Sequence, residues 1–360
     1  MKHRFAVLDI FRGIFASMVV LFHLAPFADT PILNNPFVLN SDLFVDFFFV
    51  LSGFVITYTY QSLATANETK LFYKKRLFRL YPLHLVMLLL FVGVELGKKL
   101  LEGHIQINQP DNVNNNLFTF FSNLFFLHSV KLPGVTDVSW NIPSWSISAE
   151  MIAYIVFGTV TFYINRNRLS KIKNALYLLI ALASLATLYI ITGSFELTYS
   201  FDYGFLRAIA GFFSGVICFK TFVYSRDHAV KLSRSLFSFA EIAVLLIMIV
   251  SVSMGYEMKS IGFLYEAIFF VAILVFSFEK GVISDLLKRS AFLHKLGTYS
   301  YSVYMVHALF ISLFNILFIR VLHFPPSAYA YLFLLNFFII YIVSAWTYKN
   351  IELRFSYKKK

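Results

Sequence analysis

The sequence is short of charged residues, since Asp, Glu, Lys and Arg make up only 14% of its 360 residues. Soluble domains carry about 25%, so this chain lacks the polar surface that water requires. Hydrophobic residues account for 59% of the chain, and the mean hydropathy is +0.71. Cys218 is the only cysteine, which excludes an intramolecular disulfide and a thiolate metal cluster. We therefore expect a chain that folds in lipid and holds no metal.

Long apolar stretches recur from end to end, each near the roughly 20 residues that cross a hydrocarbon core as a helix. The alternating segments of about ten residues that are typical of membrane barrels are absent. The predicted fold class is therefore all-α, a polytopic integral membrane helical bundle with about ten transmembrane helices. The predicted spans are 5–27, 43–63, 80–97, 145–164, 174–192, 204–224, 236–254, 261–279, 297–320 and 328–348.

The net charge of +12 could indicate nucleic-acid binding, but the cations stand in short clusters between the apolar stretches. Such clusters mark the cytoplasmic loops of membrane proteins, so we expect no nucleic-acid partner. Residues 117–129 form an eleventh, shorter apolar candidate. If they crossed, the cations from Arg166 to Lys173 would lie outside, against the positive-inside rule. We therefore predict that both termini are cytoplasmic and that residues 98–144 form one outer segment.

We expect one membrane-embedded domain over residues 1–360, with no appended soluble domain. The first apolar stretch contains Asp9 and Arg12 and lacks a small-x-small cleavage site, so we interpret it as an uncleaved span. The sequence shows no internal repeat and no inverted pair of broken helices, which weighs against a transporter.

Three ionisable residues lie in the first span, where each costs about 2.5–3.5 kcal/mol or more unless it faces protein or water. Asp9 and Arg12 stand one helical turn apart and can form an ion pair. His23 lies on nearly the same helix face as Arg12, about 16 Å further along the axis. A structural interpretation is an ion pair at the inner interface and a histidine at the outer one. The functional interpretation is a polar pathway along this face.

The second span runs inward and begins near Asp46, at a depth similar to that of His23 on the neighbouring helix. A carboxylate beside an imidazole fixes its tautomer and raises its basicity, as a general base requires. We therefore predict that Asp46 orients His23. Close helix packing explains Ser52 and Gly53 on the same span, and a nucleophilic role for Ser52 is the alternative.

A basic run from Lys74 to Arg79 follows, in which Arg76 and Arg79 stand one helical turn apart. An ordinary cytoplasmic anchor explains such a run. The functional alternative is a pair of guanidinium groups that binds the phosphates of a cytoplasmic donor.

Two later spans carry further polar residues. Glu150 lies well inside the outer leaflet, one turn from Tyr154, and needs a partner there. Ser300, Tyr304 and His307 share one face of the ninth span. Either set could instead be a buried network that only fixes helix packing.

Together these residues resemble the acyltransferase-3 family of integral membrane acyltransferases, which typically acylate bacterial surface and secreted carbohydrates. The resemblance runs over nearly the whole chain and rests on five motifs in order. They are Arg-x10-His at Arg12 and His23, Asp-x-Phe-Phe-x-x-Ser-Gly-Phe from Asp46 to Phe54, Arg-x-x-Arg at Arg76 and Arg79, Ser-Trp-Ser-x-x-x-Glu from Ser144 to Glu150, and Tyr-Ser-x-Tyr-x-x-His from Tyr301 to His307. Where the family commonly has Glu-x-Pro after its last span, this chain reads Glu352-Leu353-Arg354.

The resemblance implies a cytoplasmic acyl-CoA donor, with acetyl-CoA the leading choice, and a carbohydrate or lipid-linked glycan acceptor outside. It implies no tightly bound cofactor, membrane lipids as surroundings, and a location in the cell (plasma or inner) membrane. The residues that it places in the site are His23, Asp46, Arg12 and Glu150 for catalysis and Arg76 and Arg79 for the donor. In that scheme His23 is the general base, which Asp46 supports, and Arg12 lines the passage or stabilises developing negative charge.

Two other classes remain open on the sequence alone. One is a transporter or channel whose pathway the same polar residues line, and the other is a non-catalytic component of polysaccharide assembly. The pair of Arg76 and Arg79 separates an acyltransferase from the first, because a phosphate-bearing donor needs it and an ion path does not. The intact His23 weighs against the second.

Overall fold

The structure of the protein is a computed structural model that describes residues 4–101, 113–325 and 330–357. Within these residues, nine helices are long and apolar enough to cross a membrane, or ten if one bent pair counts as a single span. The same residues contain no strand. The predicted all-α class and the predicted number of spans are therefore confirmed.

The helices that build the bundle follow the predicted spans along the chain. They are α1 (Ala6–Leu24), α2 (Phe44–Tyr60), α3 (Ala66–Leu101), α4 (Leu117–Leu124), α5 (Trp145–Arg166), α6 (Lys173–Thr192), α7 (Gly204–Lys231), α8 (Arg234–Ser253), α9 (Phe263–Ser277), α10 (Val282–Lys288), α11 (Ala291–Phe314) and α12 (Leu332–Thr347). Helices α9 and α10 form the bent pair, with an angle of 74° between them. A π-helical turn, Tyr348–Glu352, continues α12.

The eleventh apolar candidate is too short to cross a membrane. Its helix, α4, has 8 residues, which extend over about 12 Å, against the roughly 30 Å of a hydrocarbon core. The chain before α4 also contacts the chain that follows it, because the backbone N–H of Trp140 donates to the side chain of Asn115 at 2.6 Å. This agrees with one outer segment over 98–144, of which 102–112 lie outside the described residues.

Sidedness stays a prediction, and single-cysteine labelling tests it. With the buried Cys218 changed to serine, cysteines at the exposed positions Val113 and Asp137 should react with a membrane-impermeant maleimide from outside. A cysteine at Lys171, exposed between α5 and α6, should react only after the membrane is permeabilised. Labelling of positions 113 and 137 from opposite sides would mean that the chain crosses between them.

Helices α2 and α7 touch backbone to backbone, which fixes the rotation of α2. A Cβ atom on Gly53 would lie 1.8 Å from the carbonyl oxygen of Phe212, and one on Gly215 would lie 1.9 Å from that of Val50. Only glycine permits this approach. The packing interpretation of Gly53 is therefore confirmed, and the contact turns the end of α2 that carries Asp46 toward α7.

Candidate functional site

A cavity of about 160 Å³ lies between α1, α2, α3, α5 and α11. Its polar lining consists of Arg12, Ser52, Arg76, Arg79, Ser146, Glu150, Tyr154, Ser300, Tyr301 and Tyr304. The structure thus gathers four of the six residues that the sequence placed in the site, namely Arg12, Arg76, Arg79 and Glu150. His23 and Asp46 lie outside this lining.

Arg12 connects α1 to α11. Its Nε donates to Ser300 Oγ at 2.8 Å, and its Nη2 donates to the carbonyl oxygen of Gly297 at 3.3 Å. The predicted ion pair with Asp9 also forms, at 3.4 Å. These bonds hold the guanidinium at the cavity wall and lay the two helices side by side, running in the same direction.

Arg79 is neutralised by a carboxylate that the sequence left without a role. It forms an ion pair with Glu352 in the π-helical turn after α12, and the side chain of Glu352 is 1% exposed. The Oγ of Ser302 donates to the same carboxylate. Local π-helical turns are frequent at functional sites, and here the turn carries Glu352 to Arg79, which lines the cavity.

Arg76 differs from Arg79, because no carboxylate in the described part of the chain lies within ion-pairing distance of it. Its guanidinium lies 5.4 Å from the ring of Tyr60 and 5.9 Å from the ring of Tyr154. Its buried Nε has no hydrogen-bond partner among the residues that the structure describes. Since a guanidinium carries five donors, Arg76 is the cation that can bind an anionic ligand in this cavity.

Glu150 finds its partners in two hydroxyl groups. Ser52 Oγ donates to Glu150 Oε1 at 2.5 Å, and the hydroxyl of Tyr154 donates to the same oxygen. The two hydroxyls are themselves 2.9 Å apart. The three side chains form a polar wall that offers hydroxyl and carboxylate oxygens to the amide groups of a ligand.

His23 faces a second histidine, His307 of α11. Nδ1 of His23 lies 2.8 Å from the carbonyl oxygen of Val19 and 3.3 Å from Nε2 of His307. Nδ1 of His307 lies 3.2 Å from the carbonyl oxygen of Val303. Because a carbonyl oxygen can only accept, both Nδ1 atoms carry the proton. The lone pair of His23 is therefore on Nε2, as a proton acceptor requires.

The predicted contact between Asp46 and His23 is corrected by the structure. Both oxygens of Asp46 accept from Arg207 of α7, from Nε and from Nη2, each at 2.7 Å. The two side chains are 1% and 4% exposed. A guanidinium matches a carboxylate with two parallel bonds and neutralises its charge, which a neutral imidazole does not do. The His23 ring contacts His307, whereas Asp46 is held by Arg207.

Comparison with known proteins agrees with the geometry. The family model described as the acyltransferase domain of the acyltransferase-3 family matches residues 5–346, nearly the whole chain. No curated protein and no solved structure matches the chain significantly. Family membership decides among the classes that the sequence left open, in favour of an enzyme. The chain belongs to the acyltransferase-3 family and is a multi-pass membrane acyltransferase.

Proposed function

We propose that the protein transfers an acyl group, acetyl in the simplest case, from cytoplasmic acyl-CoA to a hydroxyl of a surface or secreted carbohydrate. The cavity carries this proposal, because Arg76, which pairs with no carboxylate among the described residues, lies beside the polar wall of Ser52, Glu150 and Tyr154. An acyl-CoA has phosphates for a guanidinium and a pantetheine arm whose amides suit such a wall. The protein works in the cell (plasma or inner) membrane.

The transfer is a direct displacement in this scheme. Nε2 of His23 takes the proton of the acceptor hydroxyl, whose oxygen attacks the thioester carbonyl. The new acyl–oxygen bond replaces the acyl–sulfur bond, and His23 returns the proton to the departing thiolate of CoA. Arg12, lower on the same helix face and in the cavity wall, lines the passage that the pantetheine arm follows between the donor phosphates and the thioester.

Comparison of cell-surface glycans from cells with and without the gene tests this function. Mass spectrometry should find glycans that have lost the mass of one acyl group, which names the acyl group and the acceptor together. An unchanged glycan profile under conditions where the gene is expressed would contradict a carbohydrate acceptor.

Arg76 and Arg79 should respond differently to the same substitution. Arg76→Met should weaken acetyl-CoA binding by roughly 10- to 100-fold, because a charged hydrogen bond is lost. Arg76→Lys should recover only part of the affinity, since lysine lacks the guanidinium fork. Equilibrium binding to purified protein measures both effects, and unchanged affinity in Arg76→Met would exclude Arg76 from the donor site.

Arg79→Met serves as the comparison. It leaves Glu352 buried without its cation, so it should lower the unfolding temperature. Adding Glu352→Gln to Arg79→Met should recover stability, and donor affinity should change less than in Arg76→Met.

A further inference from the structure

Two lysines meet at the end of α2 that precedes α3, the end that we predict to be cytoplasmic. Nζ of Lys173 donates to the carbonyl oxygen of Gln61 at 2.7 Å and to Oδ1 of Asn165 at 3.0 Å. Nζ of Lys220 donates to Oε1 of Gln61 at 2.6 Å. Both lysine side chains are half-buried, and a single residue, Gln61, holds both ammonium groups.

The charge of this lysine pair is not balanced by acid. Every acceptor named above is neutral, and no carboxylate in the described residues forms an ion pair with Lys173 or Lys220. The carboxyl ends of α2 and α5 lie here and offset part of the charge. Two ammonium groups have six N–H donors, and three are used within the protein. In the part of the chain that the structure describes, three donors therefore remain for an anion.

Gln61 connects the lysine pair to Arg76, which lines the cavity. Gln61 directly follows Tyr60, whose hydroxyl is 3.5 Å from Nη2 of Arg76. Three cations therefore lie around the end of α2, namely Arg76, Lys173 and Lys220, and none of them pairs with a carboxylate of the described residues.

We propose that Lys173 and Lys220 form a second phosphate subsite, which takes the 3′-phosphate on the adenosine of CoA. This inference rests on the proposed function, in which Arg76 binds the diphosphate of the same donor. The 3′-phosphate is a phosphomonoester dianion on the ribose, at the opposite end of CoA from the thioester. Lysine binds phosphate as a point charge, so two ammonium groups match its two negative charges. Arg76 and the lysine pair thus share the donor's three phosphates.

Acetyl-dephospho-CoA, which lacks only the 3′-phosphate, is the probe for this subsite. Wild-type protein in nanodiscs of neutral phosphatidylcholine should bind acetyl-CoA at least about 10-fold more tightly than acetyl-dephospho-CoA. Lys173→Met and Lys220→Met should each reduce the ratio of the two affinities, and the double variant should bring this ratio near one. Affinity for acetyl-dephospho-CoA should stay unchanged. Lys231→Met, at an exposed lysine of the same helix α7, should keep the wild-type ratio.

Several outcomes would overturn the subsite. One is a wild-type protein that binds acetyl-CoA and acetyl-dephospho-CoA equally well. Another is a double variant that loses affinity for both donors equally, as expected if the lysines only cap helix ends. A gain in stability on adding phosphatidylglycerol that disappears in the double variant, with the donor ratio unchanged, would assign the lysines to a lipid phosphate instead. Binding of neither donor to the wild type would overturn the acyl-CoA donor itself, and the subsite with it.

Discussion

Replacing His23 with alanine, glutamine or asparagine should lower acyl transfer by about 100-fold or more, since general-base catalysis contributes about 10²–10⁴-fold. None of the three side chains accepts a proton near neutral pH. The hydrogen bond from Nδ1 to the carbonyl of Val19 leaves the lone pair on Nε2, so the structure supplies the tautomer that the reaction needs. Transfer measured in membranes, beside acetyl-CoA affinity of the same variants, separates loss of the base from loss of the donor site.

The rival explanation is that His23 only joins α1 to α11 through His307. Glutamine at position 23 can keep such a contact, so the rival predicts substantial activity for His23→Gln. Transfer by His23→Gln above about a tenth of the wild-type rate would remove His23 from the base role, and Glu150 would be the next candidate. His307→Gln and His307→Leu form a matched pair of controls. The amide oxygen of glutamine can still accept a hydrogen bond from His23, so His307→Gln should keep more activity than His307→Leu.

Arg207→Leu should destabilise the protein by about 3–5 kcal/mol, because it leaves the carboxylate of Asp46 buried without its cation. The pair makes two bonds of 2.7 Å and is almost fully buried. Cys218 provides the measurement, since it is the single cysteine and is buried. A thiol-reactive dye therefore reports unfolding of the detergent-solubilised protein directly.

The double variant Asp46→Leu with Arg207→Leu is the control. It removes both charges, so it should recover most of the stability that Arg207→Leu loses. If Asp46 acted on His23 instead, Asp46→Asn would lower transfer without changing the unfolding temperature. An Arg207→Leu protein as stable as the wild type would contradict the structural role of the pair.

The spans were predictable because hydropathy and length report contact with lipid. Hydropathy does not report the helix boundary where a helix continues beyond the apolar span. Helix α3 begins at Ala66, well before the predicted span 80–97. The predicted span begins later because the cations from Lys74 to Arg79 lower the hydropathy of the early part of the helix. Hydropathy excludes such charged turns from a span, although they continue the same helix.

The sequence predicted four residues that line the cavity, but it did not predict which side chains pair. The helical rise places Asp46 and His23 at similar depths, yet the rotation of α2 depends on its glycine contact with α7. The actual partner of Asp46 lies 161 positions away, which no local pattern reveals. Glu352 reaches Arg79 only through a π-helical turn, and the sequence carries no clear sign of that turn.

The side-by-side placement of α1 and α11 has a consequence for how the protein is made. Arg12 finds Ser300 288 positions later along the chain, and His23 finds His307 284 positions later. At about 5–20 residues per second, a ribosome needs about 15–60 s to cover that distance. During this time the first span must wait in the membrane while Arg12 and His23 lack their partners on α11. A nascent chain that stalls before α11 emerges would expose these side chains, and quality-control proteases of the membrane could recognise it.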